Sequence, residues 1–138
     1  MNRDSTGIFA VPHASAAMEK VNLDEAFESF DEQWSPRLAG ELNGQAVKLA
    51  RAEGEFVWHH HAEADELFLV VSGELRIEFR NEADIVLDKG EFLVVPRGVE
   101  HRPVATEETE ILLFEPSETR NTGNVESDET ETDLERIE

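Results

Sequence analysis

The chain has 138 residues and no cysteine, and 12 Lys and Arg stand against 32 Asp and Glu for a formal charge of −20. That length suits one domain with a single core; the lack of thiols excludes disulfides and thiolate metal sites; the charge excludes the basic footprint needed for nucleic acids or anionic membranes. No window approaches the roughly 18 apolar residues of a membrane span, and the N-terminal residues lack the apolar run of a secretion signal, so a cytoplasmic protein is expected.

The acidity is not confined to one end. Residues 117–138 carry eight acids against Arg120 and Arg136, a charge of −6, so residues 1–116 keep −20 − (−6) = −14. Lysine occurs only at 20, 48 and 89. Such a composition resembles that of proteins from halophiles, where a screening length of about 3 Å at 1 M salt suppresses self-repulsion.

In chain order, residues 1–17 show no periodicity and are expected to form a loose arm, with no role for His13. Leu23, Phe27, Phe30 and Trp34 then recur on a helical stripe, Asn22 and Glu25 resemble a capping box, and Pro36 stops the pattern. A short helix over about 23–33 is predicted, packed on the body. From Arg37 the period changes to two, and Asn43-Gly44 is a hairpin turn because both positions favour φ > 0. Further strand-like runs are EFVWHHH, ELFLVVSGELRIEF, DIVLD, EFLVVP, HRPVA and EILLFEP. Some eight short strands without crossover helices predict an all-β antiparallel barrel or jelly roll over 18–116. The acidic tail, 117–138, is expected to be disordered past Asn124.

The stretch WHHHAEADE carries the chemistry. Alternation along a strand puts His59 and His61 on one face, roughly 6.6 Å apart, and His60 on the other. Glu66 starts the next strand at the head of an apolar inward face. A buried carboxylate among neutral imidazoles is costly unless a cation compensates it, and His101 follows PRGVE at the start of another strand. This grouping reads as a metal site, with His60 left solvated or at an interface.

Gly54, His59, His61, Glu66 and Gly73 resemble the first motif of the cupin family, and Gly90, Pro96, Gly98 and His101 resemble its second. The sequence departs in having four residues between Gly54 and His59 where five are usual, and Ala105 where an asparagine is common. The resemblance implies a small double-stranded β-helix (jelly-roll) barrel in which His59, His61, Glu66 and His101 hold one divalent ion. Nitrogen and oxygen donors suit Fe, Mn, Ni, Cu or Zn alike. Glu66 is the candidate catalytic group, a general base if it detaches and a fixed ligand if it does not.

For the pocket, a turn at Ala52-Glu53-Gly54 is expected to place Gln45, Val47, Leu49 and Arg51 on the face of His59, His61 and Val57, with Lys48 facing away. A bulge in that turn would reverse the strand. The turn at Ser72-Gly73 puts Phe68, Val70, Leu75, Ile77 and Phe79 inward. Gln45 is then the expected hydrogen-bonding group beside the ion. FEPSETRNTG either folds over the mouth, offering Glu115 and Asn121, or simply caps the last strand as a turn. Such a mainly apolar cavity favours a small neutral substrate for a dioxygenase, an isomerase or a lyase. Non-catalytic binding of a small molecule or metal is the alternative. A sugar-phosphate isomerase resembling phosphomannose isomerase is disfavoured, because only Arg51 or a reversed Lys48 could meet a phosphate. Phe56, Trp58, Leu67, Leu69 and Val71 are expected to point outward, more than one helical stripe can cover, which predicts a homodimer.

Overall fold

The computed structural model describes residues 18–125, 127, 130–131 and 134–137. The expected N-terminal arm with His13, and tail residues 126, 128–129, 132–133 and 138, lie outside the described residues. Among the described residues one helix, α1 (Leu23–Glu28), precedes seven strands: β1 (Arg37–Leu42), β2 (Gln45–Glu55), β3 (Glu66–Ser72), β4 (Glu74–Phe79), β5 (Ile85–Asp88), β6 (Phe92–Val95) and β7 (His101–Pro116).

Asn43 (φ 53°) and Gly44 (φ 76°) form the two-residue turn that folds β1 onto β2. The two runs HRPVA and EILLFEP, expected as separate strands, are one strand of 16 residues. That strand organises the barrel. It pairs along β2, takes β3 against its C-terminal half from Leu67↔Phe114 to Val70↔Ile111, and takes β4 against its N-terminal half from Arg76↔Val104 to Phe79↔His101. All these pairings are antiparallel, and β1-β2-β7-β3-β6 form one continuous path with β5 attached through β4. The inward residues Phe68, Val70, Leu75, Ile77, Leu87, Val95, Ile111 and Leu113 fill the space between the two walls, as the alternation about Gly73 leads one to expect.

The expected turn at 52–54 is absent. β2 runs unbroken to Glu55 and slips its register against β7 between Ala52 and Gly54. A one-residue slip exchanges the faces of a strand, so the parity of His59 does not carry back to residues 45–51. Ala46, Lys48, Ala50 and Ala52 are the buried inward set. Leu49 faces out under α1 with Ala26, Phe27 and Phe30. Gln45, on that same outward parity, is not beside the histidines, and Lys48 points into the barrel.

Helix α1 is shorter than its apolar stripe. Its start is as expected, with Asn22 Oδ1 accepting from the Glu25 amide at 3.0 Å. It stops at Glu28 because two side chains take the carbonyls that a further turn would use. Ser29 Oγ donates to Ala26 O at 2.6 Å, and the Arg51 guanidinium donates to Phe27 O (2.6 Å) and Phe30 O (2.7 Å). A cation at the C-terminal carbonyls also suits the helix dipole. Trp34 consequently leaves the stripe and enters the main core at φ 57°, its indole donating to Glu53 O at 3.0 Å.

Of the residues expected outside, Phe56 is buried and stacks on Trp34 at 4.9 Å. Trp58 is half-buried beneath the guanidinium groups of Arg80 and Arg102. Val71 packs under α1, whereas Phe92 and Val94 on β6 are exposed. The tail is not wholly free of the body. Leu38 N donates to Glu135 O at 2.8 Å, Ile137 N donates to Leu38 O at 2.9 Å, and Ile137 packs against the α1 cluster. Backbone pairing along the outer edge of β1 thus holds residues that acidic composition alone marks as disordered.

Candidate metal centre

Two segments of irregular chain bring the histidines together. Residues 56–61 leave β2 and run beside the start of β7, where His59 and His101 exchange backbone hydrogen bonds of 3.0 and 2.9 Å. His61 follows two positions later, its carbonyl accepting from Gly98 N at 2.8 Å. Glu66 opens β3 opposite Val95 of β6. The ligand-capable atoms of His59, His61, Glu66 and His101 all lie within 4.8 Å of one another, and all four residues are buried.

The second ring nitrogens of His59 and His101 are also accounted for. His59 Nδ1 lies 2.9 Å from Val57 O, and His101 Nδ1 lies 2.9 Å from Val99 O. A carbonyl can only accept, so each Nδ1 carries the proton and each Nε2 turns a lone pair inward. Val57 therefore serves the site through its backbone, while its side chain packs on the core. His61 Nε2 and His101 Nε2 stand 3.2 and 3.6 Å from Glu66 Oε1. These three buried atoms nonetheless complete no hydrogen bond. A folded protein rarely leaves buried polar atoms unmet, and three convergent lone-pair carriers fit a divalent cation.

Electrostatics agree with that reading. Burial, reinforced by the nearby His101 ring, pushes the His59 pKa down to about 4, so this imidazole is a neutral donor at physiological pH. Burial works to raise Glu66, but the His101 and His61 rings and Glu115 outweigh it and hold the carboxyl well below the usual range. Glu115 moves the opposite way, raised well above that range by burial and by the Glu66 charge despite Lys48.

Glu115 thus lies next to Glu66, whereas Gln45, on the outward parity of β2, does not reach the histidines. Lys48 was missed because its orientation depends on a register slip that no local pattern announces. Its Nζ donates to Glu115 Oε2 at 2.7 Å and to Thr119 O at 3.1 Å. Phe68 meets His101 edge-on at 5.9 Å, and Phe79 packs half-buried on the core. His60 is half-buried and contributes backbone rather than imidazole. Its amide donates to Asn124 Oδ1 (2.8 Å), and its carbonyl accepts from Asn124 N (3.0 Å). Residues 117–124 turn off the end of β7, with Thr119 N donating to Pro116 O, and come back against His60 through Asn124.

A narrow apolar cleft adjoins His59 and Glu66. Trp34, Phe56, Phe68, Ile111 and Leu113 form most of its wall, and Asn121 lines its polar side. The aromatic pair Trp34 and Phe56 could not be foreseen, since the first is read as helix stripe and the second as outward strand.

A family model described as "Cupin domain" matches residues 46–116. The chain belongs to the cupin family. A cupin-2 domain containing protein from Shewanella frigidimarina NCIMB 400 is 48% identical with a TM-score of 0.68, over 70% of this chain and 93% of that one. Protein NMB1881 from Neisseria meningitidis is 28% identical with a TM-score of 0.66, over 72% of this chain and 100% of that one. The uncharacterized protein YdbB of Bacillus subtilis (strain 168) is 45% identical over 62 residues, 45% of this chain, so the chain spans only 55% of that relative's length. The family match begins at Ala46 and ends at Pro116. Trp34, Pro36 and Asn121 line the cleft of this cupin from outside it.

Among the described residues no helix is long and apolar enough to cross a membrane.

Proposed function

We propose that this cupin is a metal-dependent enzyme acting on a small, largely apolar organic molecule, with His59, His61, Glu66 and His101 holding one divalent transition ion. One observation carries the reading: buried donor atoms on three of these residues lack any hydrogen-bond partner, converge on one point, and border an apolar cleft. A bound ion would supply Lewis acidity, or a redox centre for dioxygen if it is iron, manganese or copper.

The chain's own residues would do the rest. The Val57 and Val99 carbonyls hold two imidazoles in the ligating tautomer. Trp34 and Phe56 offer a flat apolar wall that excludes water, and Asn121 offers a polar contact for the substrate. Glu66 either stays a fixed ligand or, released, serves as a base. Sugar phosphates suit this site poorly. Lys48 is engaged by Glu115 and Thr119, and Arg51 by the end of α1, so neither cation is free to receive a phosphate. The segment seated against His60 also suits a protein that retains a small molecule without transforming it.

Elemental analysis of untagged protein purified without chelator tests the reading, with the His59→Ala, His101→Ala double variant beside it. About one ion per wild-type chain and almost none in the variant is the expected result. Iron would direct oxygen-uptake screens with small aromatic and diketone compounds; zinc, manganese or nickel would direct isomerase and lyase screens. Metal bound without turnover in any screen would favour the retaining protein. No metal in the wild type would overturn the site.

A further inference from the structure

His60 sits between two of the four residues of the metal centre and is not one of them. On one side of this extended stretch His59 exchanges both its backbone hydrogen bonds with His101 at the start of β7. Successive residues of extended chain turn their backbone groups to alternate sides, so the amide and carbonyl of His60 face away from β7. Asn124 meets them there. Its Oδ1 accepts from His60 N at 2.8 Å, and its own amide donates to His60 O at 3.0 Å. One residue thus satisfies both groups, as a paired strand would. Its neighbour makes the approach possible. Gly123 has φ 57°, and a Cβ on it would lie 2.2 Å from His60 O and 3.0 Å from His59 Cδ2, so glycine is what lets the chain come this close. The start of the segment is held separately. Thr119 O accepts from the buried Lys48 ammonium, Gly123 N donates to Arg120 O, and Arg120 Nε donates to Gly123 O. Gly123 and Asn124 also border a polar cleft together with His61.

We infer that Asn124 is a positioning residue for the metal centre: by holding both backbone groups of His60, it fixes the His59 and His61 rings relative to each other. The inference rests on the metal reading above, and Asn124 lies beyond the residues of the family match. The two rings stand edge to face with centroids 5.0 Å apart. His59 is steadied by the bond from its Nδ1 to Val57 O, as His101 is by Val99 O. His61 has no such carbonyl on its far nitrogen among the described residues. Its place depends on its backbone, held on one side by Gly98, which donates to its carbonyl at 2.8 Å, and on the other by the His60 groups that Asn124 engages. Donors fixed before an ion arrives bind it more tightly, because the ion need not order them.

The test uses Co²⁺ as the probe on metal-stripped full-length protein, with affinity read by titration of the visible bands of the bound ion. Asn124→Ala should bind Co²⁺ roughly 10-fold more weakly than wild type, the lower end of what contacts behind metal ligands contribute. Asn124→Asp keeps the acceptor oxygen and should bind within about threefold of wild type when titrated at 1 M KCl, where the added charge is screened beyond about 3 Å. Asn22→Ala, which strips the cap from α1, controls for lost stability alone. Its Tm should fall while its Co²⁺ affinity stays that of wild type. Unchanged affinity in Asn124→Ala would overturn the inference. So would an Asn124→Asp variant as weak as Asn124→Ala, or equal weakening in Asn22→Ala, which would show a general loss of stability rather than positioning. Wild type that takes up no Co²⁺ would instead bring down the metal reading, and this inference with it.

Discussion

Two buried polar clusters sit side by side in this barrel and differ in one respect. Lys48, Glu115 and the Thr119 carbonyl form an ion pair and a hydrogen bond within the chain. His59, His61, Glu66 and His101 are as deeply buried, yet their inward atoms are largely unsatisfied. Burial of polar groups alone therefore does not mark a site. The first cluster is closed except at Glu115 Oε1, and that one open atom faces the second. What distinguishes a binding centre is a set of lone pairs pointed at the same space, here with the far nitrogens of His59 and His101 held by backbone carbonyls.

The contrast can be broken most severely from the lysine side. Lys48→Met removes the ammonium that bonds Glu115 and the Thr119 carbonyl, beside a carboxyl that burial already pushes toward its protonated form, and in metal-free protein it should lower unfolding free energy by up to about 3 kcal/mol. Lys48→Met/Glu115→Leu removes both groups and should recover most of that loss. Urea unfolding with chelator present measures both, and a single variant as stable as the double one would show the pair to be unimportant.

Acid sharpens the contrast from the histidine side. His59 titrates near 4 in the folded chain against 6.5 for an unperturbed imidazole. Between those values the unfolded chain binds the extra proton, so folded stability rises with pH there. The contribution from His59 is fully present above about pH 6.5 and is lost as pH falls to about 4, some ~3 kcal/mol in all. Chemical denaturation of metal-free protein at pH 7 and pH 4.5, compared with His59→Gln, isolates this part. The variant should show a weaker pH dependence by nearly that amount, and equal slopes would refute the assignment.

The smallest effect concerns the segment over the mouth. Gly123 stands at φ 57°, and a Cβ there would lie 2.2 Å from His60 O and 3.0 Å from His59 Cδ2. Backbone must move to admit it, so Gly123→Ala should cost about 1–2 kcal/mol and lift the Asn124 contact off His60. Hydrogen exchange at the His60 and Asn124 amides should quicken while that of the β2 and β7 ladders stays as it was. Unchanged exchange at the former would mean that the segment tolerates the methyl group and does not clamp the site.

Much of this was legible from residue order, and for reasons that are local. Asn43-Gly44 specifies its turn by φ preference, the alternation of Phe68, Val70, Leu75 and Ile77 names the inner wall, and Asn22 caps α1 through its own side chain. His59, His61, Glu66 and His101 stand out because spacing of two on extended chain and a charge heading an apolar strand are unusual in a core. The family, too, follows from these positions and their glycines.

Parity is where residue order falls short. A strand read from its own alternation has two mirror assignments, and the slip between Ala52 and Gly54, set by how β2 lies on β7, chose the one that puts Lys48 inside and Gln45 outside. Similarly, Arg51 on the α1 carbonyls ended the helix early and sent Trp34 into the cleft, because a guanidinium from a distant strand competed for groups the helix would have used. The ligands were written in a short motif, where neighbours in sequence are neighbours in space. The wall around them, and the lysine that meets Glu115, came from long-range pairing between strands, which no local pattern encodes.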